Sequence, residues 1–185
     1  MYFKFALVND DNENMEEAFK YYNKCIAIEQ NNQYKALAYS NLASCYFDND
    51  NLDDAKMCFE KAYQIEKSNN NFEGIYYTAS QLGQIYKKEN SKKTLIYLLE
   101  AKSSAEFINE SFYILDATIA LGDFFYNNPK TYKEALTEYF KAHNIAENLT
   151  GEVDIVRIKN RINDMKLRME PNDFEEIESK YGNRN

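Results

Sequence analysis

The chain has 185 residues and a formal net charge of −8; 44% of its residues are hydrophobic, with 16 tyrosines, 12 phenylalanines and no tryptophan. That length suits one continuous core, and the acidity excludes a general binder of nucleic-acid backbone, which needs a basic face to displace counterions from phosphates. No stretch approaches the length of a membrane span, and Cys25, Cys45 and Cys58 sit at unrelated spacings that fit neither a disulfide framework nor a zinc site.

The opening YFKFALV is cut short by Asp10 and Asp11 before it could serve as a signal core. Its Tyr2, Phe3, Phe5 and Leu7 begin a helical unit too short and too apolar to stand alone in water, so a weakly self-associating N-terminal edge or a missing preceding repeat is expected. Asn14 followed by Glu17 resembles a capping box and starts a helix to about Glu29, with Ala18, Tyr22 and Cys25 on one face. A hairpin over about 32–66 comes next. Tyr39, Leu42, Ala43 and Tyr46 mark its first helix, Ala55, Phe59 and Ala62 its second, and Asn51 with Asp54 caps the second.

The same faces recur twice downstream. Over about 71–107, Ala79, Leu82, Gly83 and Tyr86 are answered by Thr94, Leu98 and Ala101; over about 109–148, Thr118, Leu121, Gly122 and Phe125 are answered by Ala135, Tyr139 and Ala142. Thr131 with Glu134 is expected to open the last of these helices. Ala43, Gly83 and Gly122 are 40 and 39 residues apart. Asparagine-rich breaks, Asn31–Asn32, Asn69–Asn71 and Asn127–Asn128, separate elements in a chain whose only prolines are Pro129 and Pro171. After Thr150 an apolar stripe of Ile155, Ile158, Ile162, Met165 and Met169 runs at helical spacing beneath Arg157, Lys159, Arg161, Lys166 and Arg168, as a terminal cap requires. A short helix after Pro171 follows, capped by Asn172 with Glu175, faced by Phe174, Ile177 and Tyr181, and ended by Gly182.

This order of large, small and aromatic residues resembles the tetratricopeptide repeat family over roughly residues 2–148. The longer period is similar to the extended-repeat branch that includes kinesin light chains and bacterial peptide-pheromone receptors. The resemblance implies an all-α, right-handed superhelical solenoid of antiparallel hairpins. It places repeats over 1–150 (units at about 2–29, 32–66, 71–107 and 109–148) and capping helices over 151–185. It also implies a scaffold or adaptor that binds a peptide or protein segment in a concave groove lined by first helices. The segment YSNLASCY is similar to that of chaperone-binding repeats, with Asn41 at a clamp position. The clamp is otherwise not reproduced, since Tyr77 and Gln81 stand where basic residues belong and Lys4 where an Asn belongs.

The signature positions are consumed by packing, so the groove falls to the residues left over: Asn41, Ser44, Tyr77, Gln81, Gln84, Asp116, Ile119 and Asp123. The amides and hydroxyls can pair with an extended backbone, Tyr77 and Ile119 offer apolar pockets, and Asp116 and Asp123 favour a Lys or Arg. The alternatives are that these groups only keep the surface soluble, or that Asn41 bonds within its own hairpin. Residues 1–66 carry 12 acids against 6 bases, whereas 67–185 carry 18 against 16, so a basic partner would be steered to the N-terminal end. No enzyme, cofactor, metal, nucleic acid or membrane is expected. The lone His143 has no nucleophile at catalytic spacing and is placed on an exposed side of its helix, and glycine-rich loops, HExxH and CxxC are absent. The cysteines read as buried thiols of a cytoplasmic protein. A second reading is a sensor or docking segment of a larger regulator or enzyme.

Overall fold

A computed structural model describes residues 2–11, 14–87, 91–149 and 155–182. Every regular element among them is helical: α1 (Tyr2–Asp11), α2 (Met15–Ile28), α3 (Asn32–Asp48), α4 (Leu52–Asn69), α5 (Phe72–Tyr86), α6 (Ser91–Ile108), α7 (Ser111–Tyr126), α8 (Tyr132–Glu147), α9 (Ile155–Arg168) and α10 (Pro171–Ile177). A 3-10 turn at Pro129–Thr131 precedes α8, and a π turn at Glu178–Gly182 follows α10. The chain packs as two units, Met1–Ser104 and Ala105–Asn185.

In the first unit α1 pairs with α2 and α3 with α4, and successive hairpins meet through α2 with α3 and α4 with α5. Its core is built from the residues the periodicity selects. Ala18, Tyr22, Leu42, Ala43, Ala55, Phe59, Ala79 and Leu82 are buried, and small residues between large ones let the helix axes approach. In the second unit α7 pairs with α8, and α9 and α10 both pack on α8. Ile158 and Met165 of α9, with Phe174 and Ile177 of α10, are buried there, so the two terminal helices cap the hairpin as their stripe requires.

Asparagines end and begin the helices. Asn31, Asn51 and Asn71 accept from the backbone N–H of Gln33, Asp54 and Gly74 respectively, and Asn70 closes α4 in the left-handed region at φ 52°. The expected caps elsewhere do not form. Asn14 makes no side-chain cap bond. The Thr131 hydroxyl donates to the carbonyls of Phe125 (2.7 Å) and Asn128 (2.9 Å) within the preceding turn, and Asn128 accepts from Lys130 N–H instead. Helix α10 starts at Pro171, so Asn172 already lies inside its first turn and cannot cap it.

At the N-terminal edge Ala6 is buried, Phe3 tilts against Tyr22 at 6.2 Å, and the half-exposed Tyr2 ring stacks on Tyr21 at 6.3 Å. The side chain of Phe5 lies outside what the structure describes. All three cysteines are free and buried, and burial pushes the Cys58 thiol up to about 11.

Candidate functional site

On α3, Tyr34, Leu37, Asn41 and Ser44 follow at spacings of three, four and three, and on α5, Glu73, Tyr77, Gln81 and Gln84 follow at four, four and three. Each set therefore forms one stripe along its helix. The stripes are joined by a hydrogen bond of 2.8 Å between Ser44 Oγ and the Tyr77 hydroxyl. Ser44 Oγ also lies 3.2 Å from the Ser40 carbonyl, to which it donates, which leaves Tyr77 as the donor in the pair. The Tyr77 ring is fixed from below by an edge contact with Phe59 at 6.1 Å. Asn41 and Gln81 are half-buried, and neither side chain has a hydrogen-bond partner among the described residues. Asn41 thus makes no bond within its own hairpin. Tyr34 and Leu37, 50% and 38% exposed, supply the apolar half of the α3 stripe and are absent from the groove residues expected from the sequence. Their spacing to Asn41 was the available signal.

In the second unit α7 carries Phe112, Asp116, Ile119 and Asp123 at spacings of four, three and four. Asp116 is exposed and Ile119 half-buried. Asp123 is already engaged by its own chain. It accepts from the Tyr139 hydroxyl at 2.7 Å, pairs with Arg157, and lies 3.5 Å from Arg161 Nε. Burial first, and then the Asp123 carboxylate, hold the Tyr139 phenol well above its ordinary range. The basic side chains expected from a ligand at Asp123 are thus supplied by α9. His143 is not on an exposed face: it is half-buried, with Nε2 3.6 Å from Glu147 Oε1.

Residues 1–32 and 36–69 match the tetratricopeptide repeat family. Residues 1–69 carry two tetratricopeptide repeats. No curated protein matches it in sequence. Its fold is similar to the crystal structure of BtubC from P. vanneervenii, with a TM-score of 0.75 at 18% identity over 94% of this chain and 73% of that one. It is also similar to a signal-transduction ATPase with a tetratricopeptide repeat sensor from Pyrococcus horikoshii, with a TM-score of 0.70 at 18% identity over 97% of this chain. The chain spans 28% of the length of that archaeal protein. A third likeness, to a kinesin light chain-like repeat protein of Podosopora anserina, has a TM-score of 0.65 at 15% identity over 100% and 96% of the two chains.

Close packing of paired helices accounts for the small residues. A Cβ on Gly83 would lie 2.9 Å from Leu98 Cδ2, and one on Gly122 would lie 2.8 Å from Tyr139 Cε1. A third glycine, Gly74, stands under Glu66, whose carboxyl carbon a Cβ would meet at 2.3 Å. Glu66 is 2% exposed and accepts from Asn71 Nδ2 at 2.7 Å; burial raises its carboxyl above the ordinary range. This acid orients the cap of α5, and nothing in the repeat pattern pointed to it.

The repeat surface also holds a cleft of about 650 Å³ walled by α3, α4 and α6 of the first unit. On α3 it is lined by Asn32, Lys35 and Tyr39. Asn41 and Ser44 follow Tyr39 by two and five residues, about 200° and 140° around a helix of 3.6 residues per turn, so the cleft and the Ser44–Tyr77 stripe occupy opposite faces. None of the eight residues read from the sequence lines this cleft. No group of three or more His, Cys, Asp or Glu residues that could hold a metal occurs among the described residues, and no described helix is long and apolar enough to cross a membrane.

Proposed function

We propose that the chain is a protein-interaction scaffold that holds an extended peptide or protein segment along its first helices. Tetratricopeptide repeats generally mediate protein–protein interaction. The observation that carries the reading is the Ser44–Tyr77 hydrogen bond, which joins the α3 and α5 stripes while leaving the amides of Asn41 and Gln81 half-buried and without hydrogen-bond partners among the described residues. Such amides can donate to and accept from a peptide backbone, and Tyr34, Leu37 and Tyr77 offer apolar contacts to its side chains. In the first unit the proposed surface is Asn41, Ser44, Tyr77, Gln81 and Gln84; in the second unit, taken by itself, the candidate residues on α7 are Asp116, Ile119 and Asp123. Asp116 is exposed on α7, and the charge of Asp123 is met by Arg157 and Arg161. The expected setting is cytoplasmic, acting as an adaptor.

A second reading is a sensor or docking segment of a larger regulator; it is supported by the likeness to the archaeal ATPase, a larger protein with a tetratricopeptide repeat sensor. Both readings use the same surface. The test is a peptide screen against the wild type and the N41A/Q81A variant. Peptides selected by the wild type are expected to lose at least tenfold in affinity on the variant. Equal binding by both, or loss only on K56E, would refute the assignment.

A further inference from the structure

The cleft between α3, α4 and α6 has the volume of a small-ligand site. Its apolar lining comes from Tyr39, Met57, Ile65 and Tyr97. Met57 is 46% exposed, a large apolar side chain left in water. Tyr97 is held rigidly, stacked on Tyr86 at 5.6 Å and edge-on to Tyr63 at 5.4 Å. Two amides, Asn32 and Gln64, lie on the same walls.

The charges of the cleft do not cancel. Lys35, Lys61 and Glu60 line it. Glu60 Oε1 accepts from the Tyr86 hydroxyl at 2.6 Å and from Lys93 Nζ at 3.5 Å, so its charge is met from outside the cleft. Lys61 Nζ stands 5.4 Å from the centre of the Tyr39 ring. Neither Lys35 nor Lys61 has a carboxylate within ion-pair distance among the described residues. The cleft therefore presents two uncompensated ammonium groups above an aromatic and aliphatic floor, in a chain whose net charge is −8. This local reversal of sign selects against cations and leaves an anion with an apolar neighbour as the complementary guest.

We infer that this cleft is a second binding site, for an acidic peptide segment whose carboxylate meets Lys35 and Lys61 while an adjacent apolar side chain covers Met57 and Tyr97. Asn32 and Gln64 are placed to pair with its backbone. The site is separate from the Asn41–Gln81 surface, and either can be lost without the other.

The test is fluorescence anisotropy at low salt with a fluorescein-labelled hexapeptide alternating Glu and Leu, against the same peptide with Lys in place of Glu. The acidic peptide is expected to bind saturably, to weaken with added salt, and to lose at least tenfold in affinity on K35E/K61E, both surface changes whose folding is checked by circular dichroism. N41A/Q81A should bind it as the wild type does. Absence of saturable binding, unchanged affinity on K35E/K61E, or equal binding of the Lys peptide would overturn the inference.

Discussion

Replacing Gly122 by alanine places a methyl carbon 2.8, 3.0 and 3.3 Å from three atoms of the Tyr139 ring. That ring has nowhere to go: Tyr139 is 1% exposed, and its hydroxyl is tied to Asp123 at 2.7 Å. Overpacking of this kind costs about 1–3 kcal/mol, against about 1 kcal/mol gained when alanine replaces glycine inside a helix. G122A should therefore be destabilised by on the order of 1 kcal/mol after that gain is subtracted from the overpacking cost. The same change at Gly83 meets the end of a flexible side chain, Leu98 Cδ2 at 2.9 Å, with backbone no nearer than 3.9 Å. A small rotation of Leu98 relieves the contact, and the helix gain then cancels the residue of the cost, so G83A should be close to neutral. Urea denaturation followed by far-ultraviolet dichroism reads both variants, and in a chain of this size each kcal/mol moves the thermal midpoint by about 2–4 °C. G122A at least as stable as G83A would refute the packing argument.

Glu66 gives a pH-dependent counterpart. Its carboxyl is raised in the folded chain by burial, so its contribution is most favourable below the unfolded value and declines as pH rises through the folded one. E66Q should gain stability over the wild type on going from pH 4 to pH 7, measured by denaturant midpoints; a gap that shrinks over that range would contradict the assignment. The three buried thiols, with Cys58 pushed up to about 11, should react with Ellman's reagent at pH 8 only after unfolding, and prompt reaction in the native chain would show the burial to be wrong. Y77F removes the bond to Ser44 without disturbing the ring on Phe59 and should cost about 0.5–1.5 kcal/mol at most, with a larger proportional loss of peptide affinity; unchanged binding would detach that bond from the site.

The hairpins were legible because each rests on a short-range period: Leu42, Ala43, Leu82, Gly83, Leu121 and Gly122 recur in register, and all six are buried or in close helix contact. The interrupted turns were legible where an asparagine stood directly before a helix, as at Asn51 and Asn71. They were misread at Thr131 and Asn172, where a 3-10 turn and a proline shifted the helix start. The polar face of α3 and α5 followed from subtraction, which finds residues not used in packing and therefore found Asn41, Ser44, Tyr77 and Gln81. Subtraction cannot say which leftovers meet a distant partner. Asp123 with Arg157, Lys61 over Tyr39, and Glu66 beneath Gly74 depend on which helices come together, and spacing along one helix carries no trace of that.

The central claim is that a peptide lies along the α3 and α5 stripes. Its most direct measurement is a titration of the isotopically labelled chain with a peptide selected by the wild type, followed by amide and side-chain NMR shifts. The largest changes are expected on the Asn41 and Gln81 side-chain amides and on the backbone around Ser44 and Tyr77. Shifts confined to Lys56 and its neighbours on α4, with Asn41 and Gln81 unmoved, would contradict that claim.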